Sequence, residues 1–139
     1  MAAMIGAAAL SPAATYIDTR PYRDGAAAGR LVLQRCRDTG RFQHPPRPVS
    51  LYTGSRNLDW CEVSGRGVLR ARTVVRVPAP GFEARVPYAV GVVELAEGVS
   101  VLAGLVGGDL GSWRIGMALR VEWEQGADGL PVPVFSPAS

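Results

Sequence analysis

The sequence predicts a mainly β chain: a short N-terminal helix, a two-knuckle ribbon, then five strands closing into a small barrel or sandwich. Three observations carry this. From Leu58 onward, short apolar runs alternate with Gly- and Pro-rich turns. No long helix follows residue 30. Cys36-Arg37-Asp38-Thr39-Gly40 and Ser50-Leu51-Tyr52-Thr53-Gly54 keep a C-x2-C…C-x2-C frame at positions 36, 39, 50 and 53. Only position 36 still carries a cysteine, so the frame has the shape of a metal site without its ligands.

The elements follow in order. Residues 1–14 are Ala-rich, but no Lys or Arg precedes Arg20, so the basic start of a signal peptide is missing. Residues 1–18 read as a disordered tail and the chain as cytoplasmic, with no apolar run long enough to span a membrane. Residues 19–30 form a helix, with Thr19 as cap, Pro21 in the first turn and Gly29 at the end. Gly25 weakens it. The ribbon occupies residues 31–60, with a strand over Leu31–Arg35 and a stiff Pro45-Pro46-Arg47-Pro48 spacer.

The barrel occupies residues 61–139. Val68–Val77 alternates, with Leu69, Ala71, Thr73, Val75 and Val77 on one face and Arg70, Arg72 and Arg76 on the other. Val86–Leu95 is almost wholly apolar. Ala96-Glu97-Gly98 turns it into Val99–Val106. Met117–Glu124 alternates, with Met117, Leu119, Val121 and Trp123 inward. Leu130–Phe135 contains Pro131 and Pro133, which places it at a sheet edge. Periodicity does not choose among an OB-fold, an SH3-like barrel and a sandwich.

All 15 cationic side chains are arginine. Codon bias of a GC-rich genome accounts for that, while guanidinium forks also suit phosphate. The net charge of +3 permits an anionic ligand without requiring nucleic acid. Aromatic residues do not interleave with the arginines along Val68–Val77, as an oligonucleotide platform needs. Cys36 and Cys61 read as free thiols. His44 is the single histidine, and no G-x-S-x-G elbow accompanies it. No nucleophile, base and oxyanion donor can be assembled, so the chain is not read as an enzyme.

A longer ordered set of pieces carries a resemblance. It runs through Gly29-Arg30-Leu31, Gln34-Arg35-Cys36, Gly40, Pro45-Pro46-Arg47, Gly54-Ser55, Leu58-Asp59-Trp60 and Ser64-Gly65-Arg66-Gly67. It continues through Pro87-Tyr88-Ala89-Val90, Glu94-Leu95, Gly98, Leu105-Val106-Gly107, Ile115-Gly116-Met117 and Val121. Over residues 19–136 the chain resembles the acyl-CoA-associated zinc-ribbon/OB-fold family, the "domain of unknown function 35" family. The resemblance implies a helix, a rubredoxin-like ribbon and a five-stranded OB-fold barrel. It also implies a non-catalytic partner of thiolase-superfamily enzymes (thiolases, retro-aldolases, acyltransferases), helping to shape their acyl-CoA site. MaoC-type enoyl-CoA hydratases are the alternative partners, and a stand-alone module for CoA or single-stranded nucleic acid is the alternative of another class.

Against that pattern, Thr39, Ser50 and Thr53 stand where three cysteines are expected. Hydroxyls are poor zinc ligands, so zinc is expected to be absent and the ribbon to be held by hydrogen bonds and by packing of Phe42, Tyr52 and Trp60. The residues expected to contact CoA or a partner are Arg41, Phe42, Arg47, Arg70, Arg72, Arg76, Tyr88 and Trp113. For the strand arginines the plain alternative is a solvated face. For Trp113 the alternative to an exposed interface residue is a barrel cap.

Overall fold

The computed structural model describes residues 17–138, so the tail expected over residues 1–18 lies, up to residue 16, outside the described residues. Helix α1 (Arg20–Ala27) starts with Pro21 in its first turn, but Thr19 makes no side-chain cap. The Asp18 carboxylate accepts the Arg20 N–H instead, at 3.0 Å. Gly29 ends the helix at φ 72°. Gly25 weakens helix propensity for a reason. A Cβ there would lie 2.6 Å from Val32 Cγ2 and 2.8 Å from the Arg30 carbonyl, so glycine lets α1 settle onto the next strand.

Three short strands make the ribbon: β1 (Val32–Cys36), β2 (Phe42–Gln43) and β3 (Leu58–Glu62), antiparallel in the order β2-β1-β3. Five more close the barrel: β4 (Arg66–Val75), β5 (Tyr88–Leu95), β6 (Ser100–Leu105), β7 (Ala118–Gln125) and β8 (Pro131–Pro137), in the order β4-β5-β6-β8-β7. This connectivity, with β6 and β8 parallel, is the OB-fold that periodicity alone left open. Leu31, Leu33 and Val63 pack in the same core as Leu69, Val93, Leu95, Leu119 and Phe135, so ribbon and barrel share one interior. No helix among the described residues is long and apolar enough to cross a membrane.

Three expectations change. First, β4 carries a bulge: Leu69 pairs with Val93 but Ala71 pairs with Val92, leaving Arg70 unpaired in the ladder. The extra residue reverses the alternation. Arg70 stays on the outer face beside Glu94, while Arg72 pairs with Gly91 on the side of Ala89 and Val93, with its side chain exposed. Arg70 and Arg72 therefore do not share one face, and Arg76 lies just beyond the end of β4.

Second, β8 is not an edge strand. It pairs with β7 over its whole length and with β6 at two positions, Gly104↔Val134 and Leu105↔Phe135. The Ala138 N–H donates to Ala118 at 3.0 Å, which sets the even-numbered residues of β8 to bond β7. Pro131 and Pro133 then turn their donor-less nitrogens toward β6. The prolines do not expose β8; they limit its second pairing.

Third, Trp113 is 1% exposed and belongs to the core. The β6–β7 connection contains no helix, and the indole fills the interior beneath it. Trp113 is thus a plug and not a surface contact.

Candidate functional site

The two knuckles keep their geometry. The Gly40 N–H donates to the Cys36 carbonyl at 2.7 Å and the Gly54 N–H to that of Ser50 at 2.9 Å. Both glycines take positive φ, 73° and 72°. The Cys36 side chain is fully buried. The Ser50 hydroxyl, the Thr39 hydroxyl and the backbone N–H groups of Thr39 and Asp38 favour its thiolate and lower its pKa to about 7.

The hydroxyls at the remaining frame positions have other work. Ser50 Oγ accepts the N–H groups of Tyr52 and Thr53 at 3.1 and 3.2 Å. Thr39 Oγ1 accepts the Arg41 N–H at 3.2 Å. Thr53 Oγ1 donates to Asp38, whose carboxylate also takes Ser55 Oγ at 2.7 Å and Asn57 Nδ2 at 2.8 Å. Those three donors, Asn57 first, hold Asp38 below the usual carboxylate range. A closed structural zinc site needs four thiolate, imidazole or carboxylate ligands. Among the described residues no group of three or more His, Cys, Asp or Glu side chains could hold a metal ion. The donor set does not fit zinc.

What the sequence did not announce is a glutamine pair. Gln34 and Gln43 are 4% and 1% exposed and lie opposite each other on β1 and β2. Gln43 Nε2 donates to Gln34 Oε1 at 2.9 Å and to the Val49 carbonyl at 3.1 Å. Gln43 Oε1 accepts the Leu51 N–H at 2.7 Å. Gln34 Oε1 accepts the Arg47 N–H at 2.8 Å, and Gln34 Nε2 donates to the Arg47 carbonyl at 2.9 Å. Two side chains therefore fasten the proline spacer and the second knuckle to the sheet. Gln43→Leu is expected to destabilise the chain by about 2–4 kcal/mol, because it strips partners from buried polar groups at 1–3 kcal/mol each. Urea unfolding followed by tryptophan fluorescence measures this; a loss below about 0.5 kcal/mol contradicts the role.

The residues expected to contact CoA or a partner fall into separate groups. On the ribbon, the Arg41 guanidinium carbon lies 4.0 Å from the Tyr52 ring centroid. The Tyr52 hydroxyl donates to the Phe42 carbonyl at 2.6 Å. Phe42 is partly buried against the core, and the Arg47 side chain is exposed. On the barrel, Arg70 pairs with Glu94 at 2.8 Å. Arg72 and Arg76 are exposed, with no carboxylate within 4.0 Å among the described residues. Tyr88 stands 6.0 Å from Phe82, and Arg85 lies over both rings while bonding Glu124 at 2.6 Å. Arg85 was not singled out from the sequence; only the fold brings it to Tyr88.

A hollow of about 40 Å³ opens where helix, ribbon and barrel meet, lined by Tyr22, Leu31, His44, Leu102, Pro133 and Phe135 among others. His44 stacks on Tyr22 at 6.0 Å, and burial pushes its pKa below the ordinary imidazole value. A ligand pocket spans roughly 300–1,000 Å³, so this hollow does not admit an acyl-CoA by itself.

Two family models match the chain: "ChsH2, rubredoxin-like zinc ribbon domain" over residues 23–49 and "ChsH2, C-terminal OB-fold domain" over residues 60–124. The chain is 37% identical over 116 residues to the "Probable enoyl-CoA hydratase alpha subunit" of Thermomonospora curvata, covering 83% of this chain and 36% of that protein. It is 41% identical over 76 residues to a "DUF35 domain-containing scaffold protein" of Pyrococcus furiosus, covering 55% of each. The chain thus spans about a third to a half of these relatives. A solved structure described as "Ltp2-ChsH2(DUF35) aldolase" superposes with a TM-score of 0.79 at 35% identity, over 93% of this chain and 100% of that one.

Proposed function

This chain belongs to the DUF35/ChsH2 family, a rubredoxin-like zinc ribbon joined to an OB-fold domain, and on that premise we propose that it is a non-catalytic accessory subunit of a thiolase-superfamily enzyme acting on acyl-CoA substrates. The carrying observation is the match over the whole length of a chain in the structure described as "Ltp2-ChsH2(DUF35) aldolase". The chemistry of this chain supports the same reading. Its single histidine is half-buried and stacked on Tyr22, and the Cys36 thiol is sealed inside the ribbon. Neither is placed to act as base or nucleophile on an incoming thioester.

In this reading the larger partner supplies the nucleophile and bases, and the small subunit stabilises it and completes the wall of its CoA site. Arg41, Phe42 and Arg47 on the ribbon, and Arg70, Arg72, Arg76 and Tyr88 on the barrel, are the proposed contacts with partner or CoA. Arg72 and Arg76 carry the most weight among them, because neither is engaged by a carboxylate in this chain. Trp113, buried in the core, is not among them. The ribbon is proposed to work without zinc. A second reading, pairing with a MaoC-type hydratase, draws on the similarity to a hydratase alpha subunit.

Co-expression with the nearest-encoded thiolase-superfamily protein, and separately with the nearest-encoded MaoC-type protein, tests both. A stable complex with the first in size-exclusion chromatography supports the accessory role. Elution only with the second favours the hydratase reading, and elution as a free monomer from both contradicts the proposal.

A further inference from the structure

We propose that Arg66 and Arg120 form an anion site on the outside of the barrel that takes a phosphate-class dianion. Register creates it. Arg66 on β4 lies directly opposite Arg120 on β7. The Val121 N–H donates to Gly65 at 2.7 Å and the Leu69 N–H to Met117 at 3.0 Å. The ladder bonds between these strands thus fall on the odd-numbered pairs, and Arg66–Arg120 is a non-hydrogen-bonded pair, the geometry that brings side chains closest. A Cβ on neighbouring Gly67 would meet Val93 Cγ1 at 2.7 Å, and Leu119 is 1% exposed, so those residues face the core. Arg66 and Arg120 therefore project outward, and both are exposed.

Like charges directly opposite on a sheet repel. Among the described residues neither guanidinium has a carboxylate within 4.0 Å. Two of the acids nearby are engaged and the third forms no ion pair with either arginine. Glu94 is held by Arg70, Glu97 accepts the Ser64 N–H, and Glu122 is exposed two residues along β7 without an ion pair. The third position in the same row is Ser136 on β8, opposite Arg120. Ser136 is 4% exposed, and its buried hydroxyl has no hydrogen-bond partner. Two planar forks thus stand side by side on adjacent strands, with the buried Ser136 hydroxyl beneath the row and not at the surface. A tetrahedral dianion can accept from both forks at once and cancels the repulsion the register imposes. The inference does not depend on the accessory-subunit reading.

Free inorganic phosphate and the phosphomonoester of a nucleotide share this chemistry. Thermal unfolding of the full chain at low ionic strength, titrated with inorganic phosphate, CoA or dephospho-CoA against chloride of equal ionic strength, tests it. Phosphate is expected to raise the Tm beyond the chloride control. Arg66→Gln and Arg120→Gln are each expected to raise the Tm without phosphate and to weaken the phosphate response at least tenfold in concentration. Should a glutamine variant fold poorly, R66K/R120K keeps the charge without the forks and is expected to weaken the response less than tenfold. A larger response to CoA than to dephospho-CoA supports a nucleotide phosphomonoester as the source; a response to inorganic phosphate alone supports the free anion. A phosphate response no larger than that of chloride, or one unchanged in both glutamine variants, overturns the proposal.

Discussion

Trp113→Ala is expected to lower the unfolding free energy by about 3–5 kcal/mol, the range for deleting a buried aromatic from a packed core. The indole is almost wholly enclosed, and it touches the interior from a connection that has no helix of its own. Little else is available to collapse into the void. A Cβ on Gly108 would stand 3.2 Å from the Trp113 ring, so the loop already rests directly on it. Urea denaturation followed by circular dichroism measures the loss. Trp113→Phe keeps much of the volume and removes an N–H that has no partner, so its cost is expected to be less than half as large. A loss below about 1 kcal/mol for the alanine variant contradicts the plug role.

Restoring the cysteines is expected to create a metal site. Thr39→Cys, Ser50→Cys and Thr53→Cys together place four thiols on a frame whose knuckle turns are already formed. The triple variant is expected to purify with about one zinc per chain, because four thiolates close a tetrahedral site. Its thermal unfolding is expected to become sensitive to chelators, since binding free energy then contributes to folding. The natural chain is expected to carry no zinc and to unfold at the same temperature with or without chelator. Its knuckle N–H groups are met by Ser50 Oγ, and its spacer is held by Gln34 and Gln43. Stoichiometric zinc in the natural chain, measured by atomic emission, contradicts this.

The strands were legible in the sequence because alternation reports the pleat directly. Leu119, Val121 and Trp123 turn inward on β7, and Ala118, Arg120 and Glu122 outward, as their spacing predicts. The bulge at Arg70 was not legible, since an inserted residue looks like any other until its partner strand is known. The prolines of β8 misled for a related reason. A proline at an edge and a proline whose nitrogen faces a weakly paired neighbour read alike. The knuckle frame could be read from spacing, but the glutamines that fasten it could not. Two polar residues in short strands signal nothing until β1 and β2 bring them together. The Arg66–Arg120 pair is likewise a product of register alone.

As an accessory subunit, the role proposed above, this chain would serve another protein's chemistry. Steady-state turnover of the nearest-encoded thiolase-superfamily enzyme on its acyl-CoA substrate, measured with and without an equimolar amount of this chain, tests it most directly. The predicted result is no turnover by the chain alone and a rise in the partner's activity of at least tenfold on its addition. Equal partner activity in both arms, or turnover by the chain alone, would contradict it.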